Sequence, residues 1–138
     1  MMLGVGVDII EISRMAETLA RSGDVFLNRV FTEREQLMGK SHHAPATYYA
    51  TRFAAKEAVF KSLGIGWDGG VDGGVDLRDI EVLRGPRGEP LVELGGRLAL
   101  LASERGKTRV LLSLSYDDDS AIAFVALVQA TESGRGLS

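Results

Sequence analysis

The stretch "RFAAKEAVFKSLG", residues 52–64, reads as a helix with one side turned toward a core. It consists of good helix formers, and its apolar residues recur at helical spacing. At about 100° per residue, Glu57 lies only ~40° from Phe53 and ~60° from Phe60 on the helix surface. A carboxylate on the apolar side of a helix is costly unless it is paired or metal-bound. The pattern therefore singles out Glu57 as a candidate functional residue.

Lys61 lies one turn after Glu57 and offers that carboxylate an ordinary explanation. A surface Glu–Lys pair four residues apart is common and stabilises a helix by only about 0.2–0.5 kcal/mol. Here Phe, Ala and Val occupy the surrounding positions. We therefore favour an inward carboxylate over a surface ion pair.

Asp8 is a second carboxylate in an apolar setting, since "GVGV" precedes it and "II" follows it. It could also be a strand-end aspartate that caps the helix starting near Ile12, and the residues alone leave both interpretations open. Carboxylate oxygens suit Mg²⁺, which is often held by one or two carboxylates together with substrate phosphates. A nearby lysine can neutralise a phosphate as a point charge. Asp8, Glu57 and Lys61 together predict a site where Mg²⁺ and a phosphate meet.

The composition is that of one soluble domain spanning residues 1–138. The chain is 45% hydrophobic and 25% charged, and it has no cysteine. The absence of cysteine excludes disulfides and thiolate chemistry and is compatible with the cytoplasm.

A net charge of −3 provides no overall basic field for nucleic acid. The longest apolar run, residues 121–128, is far shorter than the ~20 residues of a membrane span. The N-terminus lacks the features of a signal peptide. We expect a cytoplasmic protein that binds neither nucleic acid nor membrane.

Periodicity and turn residues predict an α+β fold with a long central helix on a mostly antiparallel sheet. The first half of the chain predicts a strand at 3–9, a helix at 12–23 stopped by Gly23, a short helix opened by the capping box "TERE" at 32–35, and a long helix at 46–63 with Gly64 as its left-handed C-terminal residue. The second half predicts strands near 79–83 and 90–94 around the turn 85–90, a helix at 96–106, and a hairpin of strands 109–116 and 120–130. The tail at 131–138 is predicted to be frayed.

Three weaker motifs have simple structural explanations. For two of them we prefer that explanation, and for the first both interpretations of its backbone stay open. "GIGWDG" (64–69) matches G-x-G-x-x-G, but it follows a helix, so we reject a dinucleotide site. Its backbone could still face a phosphate, or it could be a plain connector. "DDD" (117–119) favours a solvated hairpin turn over a metal cluster. The adjacent pair His42–His43 favours solvated histidines, because neighbouring side chains in a loop seldom converge on one metal.

Three segments resemble the 4′-phosphopantetheinyl transferases, most closely the short, stand-alone holo-acyl-carrier-protein synthase type. They are "GVDIIEISR" (6–14), "RFAAKEAVFKSLG" (52–64) and "LLSLSYDDDSAIAFVAL" (111–127), and the likeness spans roughly residues 3–129. The resemblance implies Mg²⁺-dependent transfer of 4′-phosphopantetheine from coenzyme A to a serine of an apo acyl carrier protein, with release of 3′,5′-ADP. It also implies the fold of that family.

The resemblance assigns roles to individual positions of this sequence. It implies that Asp8 and Glu57 are the Mg²⁺ ligands. Lys61 would contact the coenzyme A phosphates and assist the leaving group. On the helix at 12–23, Arg14 and Arg21 would dock an acidic helix of the carrier protein. The remaining coenzyme A contacts would come from Arg52, Ser62, Gly64, Pro90, Ser115 and Tyr116.

One position departs from the family pattern. The closing strand of the family usually reads Ser-x-Ser/Thr-His, with the histidine near the 3′-phosphate of coenzyme A, whereas here "SLSY" places Tyr116 there. A tyrosine hydroxyl can bond a phosphate but brings no positive charge. We expect Arg52 to carry more of that interaction.

The resemblance further implies a homotrimer, with active sites between subunits and with the "GEP" turn (88–90) and the Tyr116 strand contributed by a neighbour. Two other functions stay open on the sequence: a non-catalytic carrier-protein or nucleotide-binding module, and a Mg²⁺-dependent nucleotide pyrophosphatase. The sequence decides neither whether the carrier serves fatty acid or polyketide synthesis, nor whether acyl-coenzyme A is accepted, nor which group receives the serine proton.

Overall fold

The computed structural model describes residues 1–64 and 76–130. Over these ranges the strands and α-helices follow one another as β1 Met2–Glu11, α1 Ile12–Val30, α2 Glu33–Lys40, α3 Pro45–Ser62, β2 Ile80–Arg84, β3 Pro90–Leu94, α4 Gly96–Ser103, β4 Thr108–Tyr116 and β5 Ser120–Gln129, with a short 3₁₀ helix Leu77–Asp79 before β2. The predicted glycine-rich segment after Gly64 and the predicted frayed tail at 131–138 lie outside the described residues.

The strands form two antiparallel sheets. The larger sheet has the order β1-β5-β4, with the last strand of the chain in its centre, and the smaller one is the β2–β3 hairpin. Val125 of β5 pairs with Gly6 on one side and with Leu112 on the other. The predicted α+β class, with antiparallel strands clustered late in the chain, is confirmed.

Helix α3 lies directly on β1 because glycines on the inner face of that strand permit it. A Cβ atom at Gly4 would overlap the carbonyl oxygen of Ser62, and one at Gly6 would overlap the carbonyl oxygen of Ala58. Two residues along a strand cover about the same length as one turn of helix. Asp8 is the next residue on the same face, so it comes level with the turn of α3 that contains Glu57.

Helix α3 is the centre of the core. Its buried positions occur on nearly every side: Tyr48, Tyr49, Ala50, Thr51, Ala54, Ala55, Lys56, Glu57, Ala58, Val59 and Ser62. One apolar cluster joins the C-terminal half of α3 to Ile80, Leu98 and Val125, and a second joins its N-terminal half to Met15 and Phe31. Burying one such large side chain contributes about 1.5–3 kcal/mol, so the position of α3 is fixed from two sides.

The prediction that the first helix stops at Gly23 is confirmed only in part. The helical geometry breaks next to it, at Ser22, whose φ of −143° and ψ of 41° are not helical, and a second helical segment then continues α1 to Val30. The chain resumes a helix because Phe26 and Leu27, beyond the break, pack against the second apolar cluster. The local stop signal therefore produces a kink, and tertiary packing restores the helix beyond it.

Local signals elsewhere are confirmed. The Thr32 hydroxyl accepts from the Glu35 N–H at 3.2 Å and Glu35 Oε1 accepts from the Thr32 N–H at 2.9 Å, which is the predicted capping box. Gly64 follows α3 with φ of +75°. Asp117 accepts backbone N–H groups of the hairpin turn at 117–119, and these bonds lower the pKa of its carboxyl. The "DDD" segment is therefore a turn, as preferred from the sequence.

Candidate active site

Asp8 of β1 and Lys61 of α3 meet through their side chains. Lys61 Nζ donates to Asp8 Oδ1 at 3.0 Å and to the carbonyl oxygen of Val7 at 2.9 Å. The Lys61 side chain keeps 46% of its surface exposed, whereas Asp8 keeps 13%. The lysine predicted to neutralise a phosphate thus stands beside the predicted metal ligand, with its ammonium group open to solvent.

The second oxygen of Asp8 could accept a cation. Asp8 Oδ2 is buried and has no hydrogen-bond partner among residues 1–64 and 76–130. A buried oxygen without a partner costs about 1–3 kcal/mol. A metal ion bound to that oxygen would offset this cost, so the donor set fits the predicted Mg²⁺ ligand.

Glu57 is buried, with 6% of its surface exposed, and this rules out the surface ion-pair interpretation. It lines a cleft of about 640 Å³ between the end of β1, α1 and α3, shared with Phe53 and with Arg14. The inward direction predicted from helix periodicity is confirmed. Arg14, predicted to dock the carrier, lines the same cleft, whereas Arg21 is exposed two turns further along α1.

Glu57 and Asp8 would supply only part of the coordination of a metal ion, and phosphate oxygens of the substrate would supply the rest. Across the described part of the chain, no three His, Cys, Asp or Glu side chains group in a way that could hold a metal ion. Two carboxylates plus phosphate oxygens are a common way to hold Mg²⁺. His42 and His43 stack at 4.6 Å between ring centroids instead of converging on a metal, and burial lowers the pKa of His42.

A second pocket, of about 310 Å³, brings together Arg52, Arg84 and Pro90. The Arg52 guanidinium lies 4.3 Å from the centroid of the Tyr48 ring, and burial lowers the pKa of Arg52. Two guanidinium groups in one pocket favour an anionic ligand. Sequence reasoning predicted Arg52 and Pro90 but missed Arg84, whose place is visible only from the hairpin register that pairs it with Pro90.

Three other residues predicted to contact coenzyme A do not line either of these clefts within one chain. Ser62 is buried, and its hydroxyl donates to the Val59 carbonyl at 2.8 Å. Ser115 is exposed and pairs with Ile122 on the outer face of the larger sheet, opposite Asp8. Tyr116 is 62% exposed at the end of β4. Their roles, and that of Gly64 at the end of α3, stay predictions.

The outer face of the larger sheet is apolar and exposed. Its large hydrophobic side chains, all more than a third exposed, are Val5, Val7, Ile9, Leu111, Ile122 and Phe124. Contiguous apolar patches of this kind mark interaction surfaces. We call this set of residues the outer sheet face.

Sequence reasoning missed a buried ion pair between Lys56 and Glu35. Both side chains are fully buried, and Lys56 Nζ lies 2.7 Å from Glu35 Oε1. Burial lowers the pKa of Lys56, and the Glu35 carboxylate opposes that shift. The sequence signal that could have indicated this ion pair is the charged pair "KE", Lys56–Glu57, inside an otherwise apolar stretch. Sequence reasoning interpreted only Glu57.

No helix in the ranges 1–64 and 76–130 combines the length and the apolar character that crossing a bilayer requires.

The chain is similar to known proteins over almost its whole length. The family model of the 4′-phosphopantetheinyl transferase superfamily matches residues 4–125, a range that includes the lining of both clefts. A holo-acyl-carrier-protein synthase of Desulforudis audaxviator (strain MP104C) is 44% identical, and the alignment covers 98% of this chain and 99% of that protein. The crystal structure of holo-acyl-carrier-protein synthase from Neisseria meningitidis matches with a TM-score of 0.83 and 34% identity, covering 94% of this chain and 100% of that one. The Bacillus anthracis str. Ames synthase, solved in complex with CoA (3′,5′-ADP), matches with a TM-score of 0.72 and 33% identity, covering 94% and 98%.

Proposed function

Since this chain belongs to the 4′-phosphopantetheinyl transferase superfamily, as its motifs predicted, we propose that it is a holo-acyl-carrier-protein synthase. It transfers 4′-phosphopantetheine from coenzyme A to a serine of an apo acyl carrier protein and releases 3′,5′-ADP. The observation that carries the proposal is the meeting of Asp8 with Lys61 beside the cleft that Glu57 lines. Relatives that bear this name are 40–44% identical over most of the chain, which supports the same activity here.

The site supplies the charge that phosphoryl transfer requires. Such reactions ask a protein mainly to position the reactants and to stabilise the charge on the phosphoryl oxygens. Asp8 and Glu57 would hold Mg²⁺, which supplies positive charge to those oxygens when it is bound. Lys61, held by Asp8 and the Val7 carbonyl, is placed to stabilise the oxygen of the departing ADP.

Coenzyme A would bind in the pocket that contains Arg52 and Arg84. Tyr116 brings no positive charge, so in this proposal the two arginines of that pocket hold a phosphate of coenzyme A. Pro90 forms its wall at the start of β3. Further contacts are proposed for Ser62, Gly64, Ser115 and Tyr116.

Arg14 and Arg21 are proposed to steer the carrier protein, because carrier proteins of this kind are usually acidic and both arginines lie on α1 before its kink. The double variant Arg14→Glu/Arg21→Glu should raise the Michaelis constant for the carrier at least tenfold and change that for coenzyme A by less than threefold. Steady-state kinetics with each substrate varied in turn measures this split. Equal increases in both constants would contradict a docking role.

The outer sheet face supports a proposed homotrimer in which subunits bury that face and complete each other's coenzyme A pockets. Ser115 lies on that face, which would explain its separation from Asp8. Sedimentation equilibrium should give three times the mass of the chain, and a monomer mass would overturn this assembly. The proposal further places the enzyme in the cytoplasm and in fatty acid biosynthesis, since the relatives are named for the acyl carrier protein.

One experiment separates the proposed function from its alternatives. The protein is incubated with coenzyme A, Mg²⁺ and an apo acyl carrier protein, and the carrier is weighed by mass spectrometry. A mass gain of one phosphopantetheine supports the transferase. ADP release without labelling of the carrier would instead indicate a pyrophosphatase, and the absence of both would indicate a binding module.

A further inference from the structure

The buried Lys56–Glu35 pair joins parts of the protein that are far apart in sequence. Besides Glu35 Oε1, Lys56 Nζ donates to the carbonyl oxygens of Val30 at 2.8 Å, Ile80 at 2.8 Å and Leu77 at 3.2 Å. Glu35 Oε2 accepts from the Val82 N–H at 2.8 Å. One ammonium group thus ties α3 to the end of α1, to α2 and to the start of β2.

The pair attaches the β2–β3 hairpin to α3. The hairpin is a separate sheet that shares no ladder with β1, β4 or β5. The Ile80 carbonyl and the Val82 N–H bind side chains from α3 and α2, so the ion pair satisfies backbone groups of β2 that would otherwise be buried without partners. The hairpin is therefore held at a fixed distance from α3.

That distance sets the width of the pocket between Arg52 and Arg84. Arg52 lies one turn before Lys56 on α3, and Arg84 with Pro90 lies at the far end of the hairpin. The width of this pocket therefore depends on how the hairpin is held against α3.

Stability alone is a poor explanation for such a pair. Moving both charges out of water is costly, and a buried ion pair can often be replaced by neutral side chains of similar size without loss of stability. What neutral side chains cannot reproduce is an ammonium group whose three N–H donors are shared among four surrounding oxygens. The contribution specific to this pair is geometry.

We propose that Lys56 and Glu35 are positioning residues that hold the β2–β3 hairpin against α3 and thereby set the affinity of the Arg52–Arg84 pocket for coenzyme A. The inference rests on the proposed function, because it takes that pocket as a coenzyme A site. Neither residue touches the substrate. Their effect passes through the spacing of the two arginines.

The test compares three variants with the wild-type protein. Lys56→Met leaves Glu35 as an uncompensated buried charge and should destabilise the fold. The double variant Lys56→Met/Glu35→Gln removes both charges and should regain the part of the stability that the unpaired Glu35 charge costs, while the carbonyls of Val30, Leu77 and Ile80 remain without the ammonium donor. Leu127→Ala, which empties a buried position of β5 paired with Gly4 and Val110 in the larger sheet, is the control for stability loss with the ion pair intact. Unfolding midpoints and the Michaelis constants for coenzyme A and for the carrier are measured for each.

The double variant should still show a Michaelis constant for coenzyme A raised about tenfold or more, with the constant for the carrier within twofold of wild type. Leu127→Ala should leave the coenzyme A constant within twofold. The inference is overturned if the double variant recovers wild-type affinity together with its stability, or if Leu127→Ala weakens coenzyme A to the same extent.

Two further measurements keep the test decisive. Glu35→Gln alone retains an oxygen for Lys56, and it should raise the coenzyme A constant severalfold even if the double variant folds poorly; no change would count against the inference. Amide hydrogen exchange requires no turnover. It should become faster in residues 80–94 of the charge-free variants while that of β5 stays unchanged, and unaltered exchange in the hairpin would overturn the inference. A wild-type protein that labels no carrier would overturn the proposed function separately.

Discussion

The Glu57→Gln variant is expected to lose phosphopantetheine transfer by about a thousandfold or more while it retains the wild-type fold. Glutamine has the same size and keeps one oxygen, so the buried position next to the cleft stays filled. It lacks the negative charge that would hold Mg²⁺ there. Charge stabilisation by a bound metal is worth several kcal/mol in a transition state, and each 1.36 kcal/mol changes the rate about tenfold.

The measurement is the initial rate of mass gain by the carrier, together with the unfolding midpoint of each variant. Asp8→Asn should show a loss of the same order, because it removes the other carboxylate of the proposed metal site. Glu104→Gln, an exposed position at the end of α4, is the matched control and should keep full activity. A Glu57→Gln protein that retains a tenth or more of the wild-type rate would exclude Glu57 as a Mg²⁺ ligand.

The direction of Glu57 could be predicted because it depends on local geometry alone. The angle between helix positions follows from 100° per residue, and the surrounding alanines and phenylalanines identify the buried side. The capping box at Thr32 and the left-handed Gly64 are also local, and both are confirmed. The family motifs assigned Asp8, Glu57 and Lys61 to one site, but the direct ion pair between Lys61 and Asp8 was not predicted.

Features that depend on distant contacts were missed. Nothing near Lys56 shows that its ammonium group reaches four oxygens on four other elements. Arg84 lines its pocket because the hairpin register pairs it with Pro90. Ser62 is covered because Gly4 lets β1 lie directly against the Ser62 backbone. The stop signal at Gly23 gave a kink instead of a helix end for the same reason, since packing beyond it restored the helix. In each case a partner far away in sequence decides the position.

The second large effect is expected at Gly6, where replacement by alanine should destabilise the protein by about 1–3 kcal/mol or more. The new Cβ would overlap the carbonyl oxygen of Ala58, which belongs to the backbone of α3 and cannot turn away. Helix α3 must therefore move off β1. Because Asp8 is on β1 while Glu57 and Lys61 are on α3, the same displacement separates the three groups of the proposed active site.

Urea unfolding measures the stability loss, and the transfer assay at a temperature where the variant stays folded measures the loss of activity. Gly23→Ala is the control, since outside its own helix no atom of residues 1–64 and 76–130 lies within 4 Å of a Cβ built there and its φ is not positive. In a helix, alanine is favoured over glycine by up to about 1 kcal/mol, so this variant should be as stable as the wild type or more so. If Gly6→Ala matched the stability and rate of Gly23→Ala, direct backbone contact between β1 and α3 would not be what holds Asp8 beside Lys61. Both variants add one methyl group, but Gly6 lies in a strand and Gly23 in a helix. A stability loss in Gly6→Ala well beyond the ~1 kcal/mol range of helix and strand propensities is therefore the part that the overlap with the Ala58 carbonyl explains.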